Sequence, residues 1–282
     1  MSATVAPTAE LGDGVADAGP MPTTLPTKTD AVASPGVGGG DPSPDAAPLP
    51  KFYNSGTCPY AQRALIALLE CEVLFDAVKV DLQAKSDAFS AAYARGNPSP
   101  GAKATVPVLD LGNMCLTESM VVVQFIGERW RGQGNAAFLG DTPQSTAKAR
   151  LMFELFAPAF DNVFTIIKHR DDTVALAEDL AFLRAKLSAL ELFLSTHGEG
   201  DSPFLLGDFS FGEAALASFV FGYSVLPHFV PQVDVRAMCE EAGLSLVLAW
   251  YDAVLARPSV VASGRTAEEV ITTIEAILAH MS

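Results

Sequence analysis

Cys58 opens the run Cys58-Pro59-Tyr60-Ala61-Gln62-Arg63, between a stretch with strand character and one with helix character. Residues 51–53 (Lys-Phe-Tyr) suit a short strand, Asn54-Ser55-Gly56-Thr57 supplies turn residues, and 61–70 holds strong helix formers with few β-branched residues. A cysteine at that junction sits where unpaired backbone N–H groups and the positive end of the helix dipole converge, which favours thiolate over thiol. Pro59 suits the first helical position, where its φ is preset and no N–H is needed. The chemistry open to such a residue is nucleophilic attack by sulfur. The alternative at this point is a small buried residue that starts a helix.

The other cysteines, Cys71, Cys115 and Cys239, fall in a helix-to-strand turn, a strand and a helix tail; none has an electropositive neighbour in sequence, so all three are read as structural. No Cys-x-x-Cys pair exists, and His169, His197, His228 and His280 are scattered, so no metal site is expected. The chain shows no charged start followed by an apolar core, so no secretory signal is expected and the thiols should stay free in a reducing compartment.

The elements that must position Cys58 follow in order. Residues 73–81 are rich in β-branched and aromatic side chains, a second strand parallel to the first through a right-handed crossover. A short helix over 84–95 ends at Gly96-Asn97-Pro98-Ser99-Pro100-Gly101. Strands over 106–111 and 114–117 are joined by Gly112-Asn113 into a hairpin, and 119–129 forms a helix, giving β-α-β-α-β-β-α. Beyond 142 no strand pattern appears; 147–170, 174–194, 213–223, 245–255 and 267–280 carry apolar residues at helical spacing. Gly132-Gln133-Gly134-Asn135 is the expected linker. The predicted divisions are therefore 1–49, 50–131 and 141–282.

Residues 1–49 have almost no large apolar side chains and much Ala, Gly, Pro, Ser and Thr, so a disordered segment is expected. Its acids (Glu10, Asp13, Asp17, Asp30, Asp41, Asp45) outnumber its one base, Lys28, unlike the Arg-rich, acid-poor composition of organelle transit peptides. The whole chain has 18 basic and 33 acidic residues; without that segment 17 and 27 remain, a net charge of −10. That balance repels phosphate backbones and anionic lipid, so neither nucleic acid nor a membrane surface is an expected partner. The charge-free run over 214–230 contains Gly222 and Pro227 and is shorter than the roughly 20 residues that span a bilayer, so it reads as a buried core helix.

Cys58-Pro59-Tyr60-Ala61 resembles the Cys-Pro-Tyr-Cys signature of dithiol glutaredoxins, with Ala61 in place of the resolving cysteine. An external thiol must then resolve a mixed disulfide, and glutathione is the candidate. With Thr105-Val106-Pro107-Val108-Leu109 and Thr117-Glu118-Ser119-Met120, residues 50–282 resemble a cytosolic glutathione transferase of the cysteine type, similar to the omega and lambda classes and to dehydroascorbate reductases. The resemblance implies an α/β thioredoxin-like N-terminal domain and an all-α C-terminal domain. It implies Cys58 as nucleophile, a cis peptide before Pro107, and a Val106 backbone that pairs with the cysteinyl unit of glutathione. Ser119 is expected to cap the next helix and offer its terminus to the γ-glutamyl carboxylate, with Glu118 on the ammonium group. Lys85 is the lysine implied for the glycyl carboxylate, with Lys103 as the alternative. Tyr60 either lines the sulfur pocket or packs. Ser210 and Glu213 lie at capping-box spacing, where Glu213 replaces the family's usual Asp; Trp250 reads as packing.

The activity implied is glutathione-dependent thiol transfer or dehydroascorbate reduction, with glutathione as co-substrate and a small disulfide, dehydroascorbate or a glutathionylated acceptor as partner. A homodimer fits the resemblance. The expected location is cytoplasmic, or a plastid or other organelle if the N-terminal segment is a targeting remnant. The rival reading is a non-catalytic scaffold with the same fold, including an intracellular chloride-channel-like protein; the net charge argues against the latter.

Overall fold

The two buried residues of β1 (Lys51–Asn54) face opposite ways and set the layering. Phe52 joins the larger apolar core with α1 (Pro59–Glu70) and α3 (Ser119–Arg129), whereas Tyr53 packs with Phe89, Ala92 and Tyr93 of α2 (Asp87–Gly96). This computed structural model describes residues 48–160 and 162–279; the expectation for 1–49 thus falls almost wholly outside the described residues, as does His280 at the end of the last predicted helix. The sheet order is β2-β1-β3-β4, with β2 (Asp76–Lys79) parallel to β1, and β3 (Val108–Asp110) and β4 (Cys115–Leu116) antiparallel. The strands are shorter than the apolar runs that announce them. Pro107 lacks the N–H of a ladder donor, so β3 begins after it rather than at Val106.

Helices form the rest: α4 (Pro143–Phe160), α5 (Val163–Lys168), α6 (Thr173–His197), α7 (Phe211–Ser224), α8 (Leu226–Phe229), α9 (Val235–Ala242), α10 (Ser245–Ala256), α11 (Pro258–Ala262) and α12 (Ala267–Ala279). The single helix expected over 147–170 is two, α4 with Pro158 in its last turn and then α5, with Asn162 N bonded back to the Ala159 carbonyl at 3.2 Å between them. Three short helices, α8, α9 and α11, were not predicted, since four to eight residues carry too little periodicity. The charge-free run over 214–230, expected as one helix, is divided between α7 and α8; α7 is buried from Phe211 to Val220, with α4 and α10 against it. Ser210 and Glu213 make the predicted capping box, and Trp250 is buried against Phe160. Among the described residues, no helix is long and apolar enough to cross a membrane.

α1 is fastened to the helical part at both ends. At its start, buried Arg63 donates from Nε to the Ala215 carbonyl at 2.6 Å and lies over the rings of Tyr60, Phe153 and Phe219. At its end, Glu70 receives Arg257 Nε on Oε1 at 2.8 Å and Nη2 on Oε2 at 2.7 Å, with further bonds from Ser259 Oγ and from Asn135 Nδ2 at 2.9 Å. The expected linker is therefore pinned: Asn135 N also donates to the Glu70 carbonyl at 2.8 Å. Gly134 passes there with φ +55°, and a Cβ on it would lie 2.4 Å from that same carbonyl oxygen.

Candidate active site

The strand registers bring the motif residues to one end of the sheet. Tyr53 pairs with Val108, so the carboxyl end of β1 lies beside the start of β3, where Val106 and Pro107 enter. Leu109 pairs with Leu116, so the chain leaving β4 through Thr117 to Glu118 and Ser119 runs past the same end. β2, parallel to β1, also ends there and leads toward Lys85. Three short motifs far apart in sequence thus share one rim.

Cys58 is the N-cap of α1, half-buried, with extended backbone (φ −84°, ψ 115°) and no side-chain capping bond. Its N–H is tied to the Ser55 carbonyl at 3.0 Å, and Pro59 takes the first helical position as expected. The sulfur is therefore left for other work, at the positive end of a 12-residue helix. Sγ lies 4.0 Å from the Val106 carbonyl oxygen, and the Val106–Pro107 peptide is cis.

Glu118 departs from expectation. It, not Ser119, is the N-cap of α3, and its side chain makes no capping bond; Ser119 is the first helical residue. The reason is backbone conformation. Glu118 holds φ 66° and ψ 111°, so the chain turns one residue earlier than a Ser119 cap requires. A left-handed φ on a non-glycine residue costs about 1–3 kcal/mol and is held only where its surroundings enforce it, often at ligand sites. Its exposed side chain remains available to a ligand, as does the helix terminus behind it.

Lys85 and Lys103 line one surface cavity of about 370 Å³ with Tyr93 and Asn97, whose Nδ2 donates to Tyr93 Oη at 3.1 Å. The structure does not separate the two lysines. Tyr60 is 46% exposed, its ring centroid 5.4 Å from that of Phe219 on α7 in an edge-on arrangement, so it packs while keeping a solvent-facing side.

Sequence reasoning gave Gln62 no role and did not consider Arg265. Gln62, one helical turn after Cys58 and 4% exposed, donates from Nε2 to Ser263 Oγ at 2.7 Å and accepts from Arg265 Nη1 at 3.4 Å. Gln62 was visible in the motif, but its partners lie about two hundred residues on, with no local signal to link them. Burial draws the Arg265 guanidinium down from its usual value, while the nearby Cys58 and Glu269 oppose that.

The reading of Cys115 needs correction. Its sulfur accepts from Arg95 Nε at 3.3 Å and Nη2 at 3.0 Å, an electropositive neighbour that the strand assignment hid because α2 packs across β4. Burial nonetheless pushes its thiol up, and Arg95 is shared with Asp110 at 2.6 Å. Cys71 and Cys239 are buried, their thiols pushed up to about 12 and about 11 by desolvation first and neighbouring acids second. Among the described residues no group of three or more His, Cys, Asp or Glu gathers to hold a metal ion.

Residues 57–129 match the family model described as glutathione S-transferase, N-terminal domain. The chain is 28% identical over 191 residues to glutathione S-transferase L2, chloroplastic, of Arabidopsis thaliana, covering 66% of this chain and 58% of the relative. It is 27% identical to glutathione S-transferase omega-1 of Sus scrofa over 163 residues, 57% of this chain and 62% of the relative. The matches thus span less than two thirds of the length of these relatives. The crystal structure of a tau class glutathione S-transferase from mango, Mangifera indica, superposes with a TM-score of 0.66 at 21% identity, covering 82% of this chain and 99% of that one. The chain therefore has the glutathione transferase fold, a thioredoxin-like domain followed by a helical domain, and residues 57–129 carry the similarity to that superfamily's N-terminal domain.

Proposed function

We propose that this protein is a glutathione-dependent thiol transferase or dehydroascorbate reductase in which Cys58 is the nucleophile. The observation that carries the reading is the half-buried sulfur at the N-terminus of α1, unused for capping and 4.0 Å from the Val106 carbonyl. In the proposed cycle the Cys58 thiolate attacks the glutathionyl sulfur of a mixed disulfide. A Cys58–glutathione disulfide forms, the original S–S bond breaks, and the acceptor leaves as thiolate and takes a proton from water. A second glutathione, as thiolate, attacks the glutathionyl sulfur and releases Cys58 thiolate and glutathione disulfide. With dehydroascorbate, two glutathione thiols supply the two electrons and leave as that same disulfide.

The remaining assignments follow the rim. The Val106 backbone pairs with the cysteinyl unit, next to Pro107; Glu118 takes the γ-glutamyl ammonium; and the start of α3 at Ser119 takes the γ-glutamyl carboxylate. Lys85 or Lys103 meets the glycyl carboxylate from their shared cavity, and Tyr60 borders the acceptor side. The domain limits we adopt are 50–131 and 141–282. A plastid is the alternative to a cytoplasmic location, in line with the chloroplastic relative.

The test is retention of the full chain on immobilised glutathione, released by free glutathione, together with turnover of a glutathionylated peptide by wild type and Cys58→Ala. Retention by both proteins and turnover by wild type alone support the reading. A chain that ignores glutathione is the scaffold instead, and turnover by Cys58→Ala removes Cys58 from the mechanism.

A further inference from the structure

Groups from the far end of the chain reach the first turn of α1, next to Cys58. Arg265 lies between α11 and α12, and its Nη1 reaches Gln62 Oε1 at 3.4 Å. Gln62 is bound by its own N–H to the Cys58 carbonyl at 3.1 Å, so the residue that orients the guanidinium belongs to the same helical turn as the sulfur. Ser263 fixes Gln62 from its other side, accepting from Nε2 at 2.7 Å while donating to the Val260 carbonyl at 2.6 Å. The Arg265 Nε is buried and makes no hydrogen bond among the described residues, so this cation is held in place at the cost of an unsatisfied donor.

Gln62 follows Cys58 by four residues, one helical turn, so the guanidinium it holds lies on the Cys58 side of α1; Cys58 and Glu269 are the groups that favour its charge. Glu269 is engaged at the start of α12, where its Oε2 accepts from Thr266 N at 3.0 Å and its own N–H donates to Thr266 Oγ1 at 3.1 Å. The capping arrangement gives Glu269 a role of its own, whereas Arg265 is half-buried, with Gln62, one turn after Cys58, as its hydrogen-bond acceptor.

Building on the reading of Cys58 as nucleophile, we infer that Arg265, oriented by Gln62, makes this site selective for acceptors that carry a negative charge close to the sulfur under attack, such as carboxylate-bearing disulfides. The cation attracts an anionic acceptor on approach and stabilises negative sulfur as each S–S bond breaks. It is a specificity-determining residue rather than the nucleophile.

Two alkylating agents of nearly equal shape report this charge. Iodoacetate is anionic and iodoacetamide neutral, and in both the Cys58 thiolate displaces iodide from the CH₂ carbon. Their rate ratio at Cys58 would be followed by mass spectrometry of the full chain. Arg265→Gln should lower the iodoacetate to iodoacetamide ratio about three- to tenfold, the effect of removing one charge near the sulfur in a partly solvated site. Arg265→Lys should keep most of the preference. In wild type, raising the salt from about 0.01 M to about 1 M should shrink the ratio, because the Debye length falls from about 30 Å to about 3 Å. A ratio indifferent to both Arg265→Gln and salt, with Cys58 still reacting, overturns the inference alone. If Cys58 reacts with neither reagent, the reading of Cys58 as nucleophile fails and the inference falls with it. The salt series needs no variant, so an Arg265→Gln protein that does not fold leaves a decisive measurement.

Discussion

Glu70→Gln probes the junction that fastens α1 to the helical domain. The Glu70 side chain is 3% exposed and its two oxygens receive Arg257 twice, Ser259 and Asn135. The amide keeps one acceptor and turns the other into a donor aimed at Arg257 Nη2 and Asn135 Nδ2. Removing one member of a buried, hydrogen-bonded ion pair costs about 3–5 kcal/mol, chiefly because the other charge is stranded. Arg257 is 23% exposed and keeps Asp208 at 3.0 Å, so it is not fully stranded. A loss of about 2–4 kcal/mol is the resulting expectation. At about 2–4 °C per kcal/mol for a chain of this size, the melting temperature should fall by roughly 4–16 °C. The assay is urea unfolding by circular dichroism, paired with thiol exposure at Cys71, the residue next to Glu70 and 2% exposed. Arg257→Met alone and with Glu70→Gln completes a cycle, in which the double variant should be less destabilised than the sum of the singles. A loss under about 0.5 kcal/mol for Glu70→Gln, or strict additivity in the cycle, would refute the reasoning.

Other expectations concern single positions. Gly134→Ala forces a Cβ to 2.4 Å from the Glu70 carbonyl at φ +55° and should destabilise by about 1–3 kcal/mol, read as a lowered urea midpoint; an unchanged midpoint contradicts this. Glu118→Ala should keep the melting temperature within a few degrees yet weaken retention on glutathione, because the side chain is exposed and caps nothing; a large stability loss would make Glu118 structural. Burial pushes the Glu213 carboxyl up from its usual 4.5, against hydrogen bonds from Ser210 and Leu205. The folded state then holds that proton more tightly than the unfolded chain, so this contribution is full below the unfolded value and is lost as pH rises through the folded one. Relative to Glu213→Gln, wild type should lose ground in urea midpoint as the pH is raised above the unfolded carboxyl's 4.5, and gaining ground would reverse the sign.

The sequence made the frame legible where local chemistry is strong. Pro59 at the first helical position, the Gly112-Asn113 turn and the Ser210/Glu213 box each announce an element that is present. Legibility failed where distant parts decide. Whether Glu118 or Ser119 caps α3 depends on a left-handed turn that a glutamate disfavours by itself. The Arg95 contact to Cys115 arises from α2 crossing β4, and the Gln62–Arg265 contact joins residues 203 apart. Short helices such as α9 had caps in plain sight, Asp234 before and left-handed Gly243 after, but too few turns to show a period. Of the candidate site, the three motifs were readable; the Ser263 and Arg265 partners of Gln62 were not, because they come from the far end of the chain.

The central claim is a covalent one, and intact-mass spectrometry after incubation with glutathione disulfide tests it most directly. Wild type should gain one glutathionyl group, mapped by proteolysis to Cys58 and removed by free glutathione, while Cys58→Ala gains none, since Cys71, Cys115 and Cys239 are buried with thiols pushed up. An adduct that persists in Cys58→Ala, or no adduct on wild type, would contradict the account.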